Sequence, residues 1–294
     1  MKLERIARRF RIDRPVRFRL ADHDPADCCG LSIDKGEAKA ILADGIARLE
    51  ELQEKLYASD RWSLLIVLQG MDAAGKDSLI KHVMSGVNPQ GVEVHAFKQP
   101  SVEELQHDFL WRVGKKLPAR GRIGIFNRSH YEEVLTVRIH NELLERQNLP
   151  KRLAGDDIWR QRFDDICAFE RHLVRNGTVI LKFFLNVSKE EQRKRFLERV
   201  DEPSKRWKFS MDDVTERELW PKYMAAYEDV IRNTSTPEAP WFVVPANHKW
   251  FTRLTAAAAL VEALDRLDLD YPKVAGKALA ELKKAGKALR AEKG

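Results

Sequence analysis

The sequence predicts an α/β chain, a parallel sheet with helices packed on both of its faces. Two observations carry this reading. Short apolar, β-capable runs alternate with longer segments of helical periodicity along most of the 294 residues. The first such run, Leu64–Leu68, also passes through a glycine-bounded turn straight into a helix start, giving LLIVLQGMDAAGKDSLI over 64–80. Ligands of open parallel sheets sit at the carboxyl ends of the strands, where that turn lies.

The elements follow in order. Residues 1–32 read as an irregular basic lead-in, broken by Pro15, Pro25 and Gly30. Residues 34–58 have the period of an amphipathic helix. A strand at 64–68 and a helix from about 76 to 86 enclose the glycine turn. Asn88-Pro89-Gln90-Gly91 is a turn, and Val92–Phe97 is a second strand. Ser101 with Glu104 forms a capping box for a helix running to Lys116. Ile123–Phe126 is a third strand, flanked by Gly121 and Arg122. Helices are expected over 129–147 and 156–176, then a strongly apolar fourth strand at Thr178–Leu185. Ser188 with Glu191 opens a helix to Val200. A basic stretch at 201–212 precedes a helix at 213–233, a strand at 241–245 and a helix at 248–268. Past Pro272 an Ala- and Lys-rich tail has helical spacing, fit to dock on the body or on a partner. The division is thus a basic N-terminal extension at 1–32, one domain at 33–271 with a lid at about 199–215, and a basic tail at 272–294.

Composition bounds the function. Hydrophobic residues make up 44% and charged residues 33%, the profile of an ordered, soluble chain. No apolar run approaches the length of a membrane span, and the arginine-rich start lacks the apolar stretch of a secretory signal. Cys28, Cys29 and Cys167 are an odd number without C-x-x-C spacing, which suits reduced thiols in a cytoplasm. The eight histidines form no zinc-ligand spacing. Of the net charge of +7, residues 1–20 hold +6 and residues 272–294 hold +5, leaving −4 for the remainder. Anion preference in the body must therefore come from local clusters.

The turn at 70–76 is such a cluster. In a G-x-x-x-x-G-K loop between strand and helix, backbone N–H groups point inward and cradle phosphate oxygens, aided by the helix dipole. Gly70 and Gly75 permit backbone angles that a side chain hinders. Gly70, Met71, Ala73, Ala74, Gly75, Asp77, Ser78 and Lys81 are the expected phosphate and nucleotide contacts, with Lys76 reaching a terminal phosphoryl oxygen as a point charge. The loop departs from its usual form at two places. Asp77 stands where a magnesium-binding Ser or Thr is usual, with the hydroxyl one place later at Ser78. Asp72 is an acid inside an anion cradle, which calls for a divalent cation or an acceptor-orienting role.

A second cluster is RIGIFNRSHYEEV at 122–134. Where such a strand normally ends in a magnesium-holding acid, this one has Asn127. Arg128 can grip phosphate bidentately, and Glu132, Glu133 or Asp72 can supply the missing charge. A third cluster runs through the basic segment 193–210, a lid position that would close over phosphates and exclude water. Arg199, Lys205, Arg206 and Lys208 are its expected phosphate cations, and Trp207 its packing anchor.

Taken together, GMDAAGKDS at 70–78, FNRSHYEEV at 126–134, NVSKEEQRKRF at 186–196, PSKRWKFS at 203–210 and TSTPEAPW at 234–241 resemble the polyphosphate kinase 2 family over about residues 35–270. The resemblance implies a three-layer α/β/α phosphate-loop kinase fold with a parallel sheet and a helical lid. It implies reversible transfer of the terminal phosphoryl group of inorganic polyphosphate to AMP and/or ADP, guanine nucleotides being left open, with Mg2+ or Mn2+. Asp72, Lys76, Arg128, Asn127 and Glu133 are then the expected catalytic residues and Asp72, Glu132 and Glu133 the metal ligands. Most family members have Asp at position 127 and Gly at position 77; Asn127 and Asp77 resemble the subgroup that accepts nucleoside mono- and diphosphates. The expected partners are polyphosphate and AMP, ADP or ATP, without nucleic acid or membrane, in a homodimer or homotetramer. Lys81, Lys115, Lys116, Arg120 and Arg122 are candidates for a basic track along the polymer. Two other readings are an ATP-dependent nucleotide or small-molecule kinase of the same fold, and a polyanion-binding protein with a degenerate loop.

Overall fold

The computed structural model of the chain describes residues 3–31 and 35–292. Its five strands are β1 (Ser63–Gln69), β2 (Val92–Ala96), β3 (Ile123–Asn127), β4 (Thr178–Asn186) and β5 (Trp241–Pro245). They form one parallel sheet in the order β2-β3-β1-β4-β5. All seven residues of β1 are buried, which is why this strand reads as continuous apolar sequence rather than as an alternation. β2, at the edge, has no buried residue. The chain works outward from β1 to one edge and then crosses to β4. The glycine turn after β1 therefore lies at the point where the strand order reverses, the crevice that open α/β sheets use for ligands.

Seven helices of eight or more residues accompany the sheet among the described residues: α1 (Leu3–Phe10), α2 (Lys35–Ser59), α3 (Lys76–Val83), α4 (Ile158–Arg175), α5 (Lys189–Asp201), α6 (Trp220–Thr234) and α7 (Lys249–Asp265), with α8 (Gly276–Ala291) beyond them. Helix α7 packs on α1, α2 and α3, while α4 packs on β4 and α6. This gives the three layers expected from the alternation, and α7 is so alanine-rich and so buried that it acts as a second core element.

Three expectations need correction. Of the lead-in expected to be irregular, the described residues 3–10 form a helix, α1. Helix α1 buries Ile6 and Phe10 against Phe251 and Leu254 of α7, with the Phe10 and Phe251 rings edge to face at 5.6 Å. The Ile12 N–H then donates to the Trp241 carbonyl at 2.9 Å, and Arg11 bridges antiparallel to Phe242, so this segment covers the β5 edge. The helix expected over 101–116 is two short turns, Val102–Leu105 and Trp111–Gly114. Ser101 and Glu104 form the full capping box, but Asp108 accepts from the Leu110 N–H at 2.9 Å and interrupts the run. The helix expected over 129–147 breaks likewise. Residues 130–134 are 3₁₀, because Ser129 Oγ takes the Tyr131 N–H, and Leu135 and His140 leave helical angles. The basic tail does form a helix, α8, but no residue of it is buried on the body. No helix among the described residues is long and apolar enough to cross a membrane, and the three cysteines are free.

Candidate phosphate-binding site

The loop after β1 is shaped by close approach. Gly70 has φ 150, and a Cβ there would stand 3.0 Å from the Leu185 carbonyl oxygen on β4. Gly75, at φ 114, caps α3 in the left-handed region. Lys76, the first residue of α3, is 8% exposed. Its ammonium donates to the carbonyls of Gly70 at 2.6 Å and Met71 at 3.3 Å. Burial, with Arg128 adding to it, pushes the Lys76 pKa down from its usual range.

The side chains around the loop are paired with one another. Arg128 Nη2 donates to Asp72 Oδ1 at 2.5 Å. Burial opposes ionisation of Asp72, but Lys76 and Arg128 outweigh it and hold the carboxyl below its usual range. Arg128 has φ 62, left-handed for a residue with a side chain. Asn127 Nδ2 donates to Asp77 Oδ1 at 2.7 Å, so the two unusual residues are partners. The pairing explains why they go together in this chain: an acid at 127 would face the acid at 77. Ser78 Oγ accepts from Arg253 of α7 at 3.0 Å.

Arg195 of α5, 5% exposed, braces the loop. It donates to the carbonyls of Ala73 at 2.9 Å, Ala74 at 2.8 Å and Ala246 at 2.5 Å, and to Glu191 at 2.8 Å. Gln192 donates to the Asp72 carbonyl at 2.8 Å. The carbonyls of Gly70, Met71, Asp72, Ala73 and Ala74 are thus all taken up by neighbouring side chains.

That cavity has a volume of about 710 Å³, and its walls carry Lys76, Lys98, Arg128, Arg195, Arg199, Lys205, Lys208 and Lys249 against Asp72, Asp77 and Glu198. Eight cations against three carboxylates make it basic inside a body that is acidic overall. The segment expected as a lid forms a 3₁₀ turn, Pro203–Lys208, and a short helix, Met211–Thr215, and lends Lys205 and Lys208 to the cavity wall. Arg199 bridges Asp213 at 3.1 Å, and Lys205 bridges Glu202 at 2.8 Å. Arg206 is turned back onto the Val200 carbonyl at 2.9 Å and does not line the cavity. Trp207 is 79% exposed, so it anchors nothing on the body.

The two glutamates separate. Glu133 is 6% exposed, accepting from Gln147 at 2.8 Å and paired with Arg162 at 3.1 Å. Its carboxylate is thus engaged by Gln147 and Arg162 rather than by a loop residue. Glu132 accepts from Thr136 at 2.6 Å. Among the described residues no group of three or more His, Cys, Asp or Glu gathers where it could hold a metal ion. Both glutamates line a second cavity of about 180 Å³, beside the first and sharing Phe97, Lys98, Gln99 and Arg128 with it. Phe109 and Arg112 close its far side.

The structure thus brings Asp72, Ala73, Gly75, Lys76, Asp77, Ser78, Asn127, Arg128, Arg199, Lys205 and Lys208 to one cavity. Gly70, Met71 and Ala74 shape the loop behind it, and Lys81 lies one turn along α3, exposed. Of the proposed basic track, Arg120 and Arg122 sit before β3 begins, at the sheet end away from the loop. Arg120 holds the Arg61 carbonyl at 2.6 Å, and Arg122 covers the Tyr57 ring. Lys115 lies 4.1 Å over the Trp111 ring and, with Lys116, is absent from the cavity walls. Lys249 and Arg253 of α7 stand beside the loop instead; their spacing of four along a helix that follows a strand was the only signal for them.

Comparison with known proteins places these features in company. A family model described as Polyphosphate kinase 2 matches residues 32–272. An ADP-polyphosphate phosphotransferase of Rhodopseudomonas palustris is 51% identical over 233 residues, 79% of this chain and 81% of that protein. An AMP/ADP-polyphosphate phosphotransferase of Meiothermus ruber is 46% identical over 265 residues, 90% of this chain and 95% of its own. The crystal structure of polyphosphate kinase 2 from Arthrobacter aurescens matches with a TM-score of 0.87 at 43% identity, covering 96% of each chain.

Proposed function

The chain belongs to the polyphosphate kinase 2 family, and from that premise we propose that it moves the terminal phosphoryl group of inorganic polyphosphate to AMP and to ADP. The observation that carries this is the pairing of two adjoining cavities. One is walled by eight cations and the loop residues Asp72, Ala73 and Gly75. The other is bounded by Phe97, Phe109 and Arg112 and opens onto Arg128. The first suits a chain of phosphates, the second a nucleotide whose phosphate end points at Arg128.

The two cations that would meet the phosphates are bonded within the protein. Lys76 is bonded to two carbonyls of its own loop, and Arg128 to Asp72. Donor phosphate takes the place of the carbonyls at Lys76, and acceptor phosphate the place of Asp72 at Arg128. The exchange at Lys76 gives a buried cation an anionic partner in place of neutral carbonyls, and the exchange at Arg128 replaces one anionic partner by another. The acceptor's second phosphate ionisation lies near pH 6, so its oxygen is already a nucleophile at neutral pH. The site needs no strong general base. Its work is to align two polyanions and offset their charge. The lid cations Arg199, Lys205 and Lys208 close over the transferring group and exclude water. Lys249 and Arg253 extend the basic wall along α7 for the rest of the polymer.

Asp72 and Asp77 fit a magnesium or manganese ion. Both are hard oxygen donors on the cavity wall, Asp72 is held ionised, and such ions commonly use one or two carboxylates plus substrate phosphates rather than a full protein cage. When bound, the ion supplies charge neutralisation between the two phosphate groups. Asn127 keeps Asp77 turned toward that place through its amide.

Acceptance of AMP as well as ADP is tested by incubating the protein with AMP and polyphosphate as the only phosphate compounds. ADP is expected first and ATP after it. ATP made from supplied ADP, with AMP left untouched, would confine the acceptor to diphosphates.

A further inference from the structure

The reaction as described makes no use of the most deeply buried charges in the molecule. Lys182 in the middle of β4 is 0% exposed, and Glu170 of α4 is 2% exposed. The Lys182 ammonium donates to Glu170 Oε2 at 2.5 Å, to the Tyr131 hydroxyl at 3.0 Å and to the Thr234 carbonyl at 2.7 Å. The Tyr131 hydroxyl donates in turn to Glu170 Oε1 at 2.7 Å. Three ammonium hydrogens meet three acceptors, and both carboxylate oxygens are engaged. The buried His130 ring stands beside them, its Nε2 3.6 Å from Glu170 Oε1.

A buried ion pair of this kind is a poor device for stability. Removing two charges from water costs about what their attraction returns, and well-packed apolar residues often do as well. Its place in the fold suggests another use. Tyr131 lies in the turn that leaves β3, three residues past Arg128. Its N–H donates to Ser129 Oγ, which also accepts from Gln69 of β1, both at 3.2 Å. Arg128 keeps a left-handed backbone, φ 62, which a residue with a side chain holds only where its surroundings impose it. An apolar pocket would fix the depth of the Tyr131 ring. Directed bonds from β4, α4 and the end of α6 fix where its hydroxyl stands, and with it the turn.

We propose that Lys182, Glu170 and Tyr131 are positioning residues, a buried three-way lock that holds the Ser129–Tyr131 turn and so keeps the Arg128 guanidinium over the phosphate cavity. This rests on reading Arg128 as a phosphate-binding group.

The test replaces the lock by apolar residues of similar size, Lys182→Met with Glu170→Leu and Tyr131→Phe. The thermal midpoint is expected to stay at or above the wild-type value. Turnover of ADP with polyphosphate is expected to fall about 10- to 100-fold, as for a small misplacement of a reacting group, with KM for ADP moving by less than about threefold. Added to Arg128→Ala, the same three changes should cost nothing further, because both act through one group. Wild-type turnover in the triple variant, or equal losses with and without Arg128, would overturn the proposal. If the triple variant does not fold, Tyr131→Phe alone, which leaves the ion pair bonded, runs the same cycle with the same outcomes. If wild type is itself inert with polyphosphate, the reaction reading fails and backbone amide exchange decides the lock. Residues 129–131 should then exchange faster in the variant while β1 is unchanged, and unchanged exchange at the turn would overturn it.

Discussion

Asp72 shows how single residues define this site. It is an acid in a cradle for anions, yet Lys76 and Arg128 keep it charged against the cost of its burial. Its folded pKa is therefore depressed, and the sign follows. The stability it contributes is complete above its ordinary value of 3.8 and is lost as the pH falls through the lower folded value. Thermal midpoints of wild type and Asp72→Asn, taken from neutral pH downward, should differ by a constant amount until about pH 4 and converge only below it. Convergence that begins near neutrality would mean that Asp72 is not held ionised by its neighbours. The loop residues were legible in the sequence because strand, glycines, lysine and helix start are contiguous. The Asn127–Asp77 bond was not, since it joins positions fifty residues apart, although the two departures from the usual motif were visible separately. Arg195 was passed over for Arg199 because nothing in a run of helical basic residues tells which one faces a loop elsewhere in the chain. Lys182 carried a fainter signal: a lysine inside the apolar run TVILKFFLN asks for a buried acid.

Among the elements, strands were easier to read than helices. Every strand lies within two residues of its expected span, since the apolar runs are short and bounded by turn residues. The long helices expected at 101–116 and 129–147 failed for a local reason. Asp108 and Ser129 offer side-chain acceptors to nearby N–H groups and compete with the helix ladder. Both breaks fall where the second cavity opens, so irregular backbone is what shapes its wall. The N-terminal segment misled through its charge. Eight basic residues in twenty suggested an irregular basic lead-in, while Ile6 and Phe10 at helical spacing supply an apolar stripe that α7 buries. Phe10→Ala should lower the unfolding free energy by about 3 kcal/mol, the cost of emptying a buried aromatic site. Turnover at a temperature where the variant stays folded should not change. A variant with wild-type stability in denaturant would show that α1 is not docked on α7 in solution.

At the scale of the whole molecule the charge distribution tells most. The body is slightly acidic, the tails are basic, and the positive charge that matters is gathered on the walls of one cavity. A polyanion-binding protein acting through its tails would not need such a cavity, nor Arg195 spent on loop carbonyls. An ATP-dependent kinase of this fold could use the same loop, and only the donor separates the two. ADP and polyphosphate, with no other nucleotide or phosphate donor, given in parallel to wild type and to Lys76→Ala, make that separation. The account predicts ATP from the wild type and a loss of about a thousandfold or more in the folded variant, the scale of a preorganised charge at the transferring group. A wild type that makes no ATP from polyphosphate, or a Lys76→Ala variant that makes it at the wild-type rate, would contradict it.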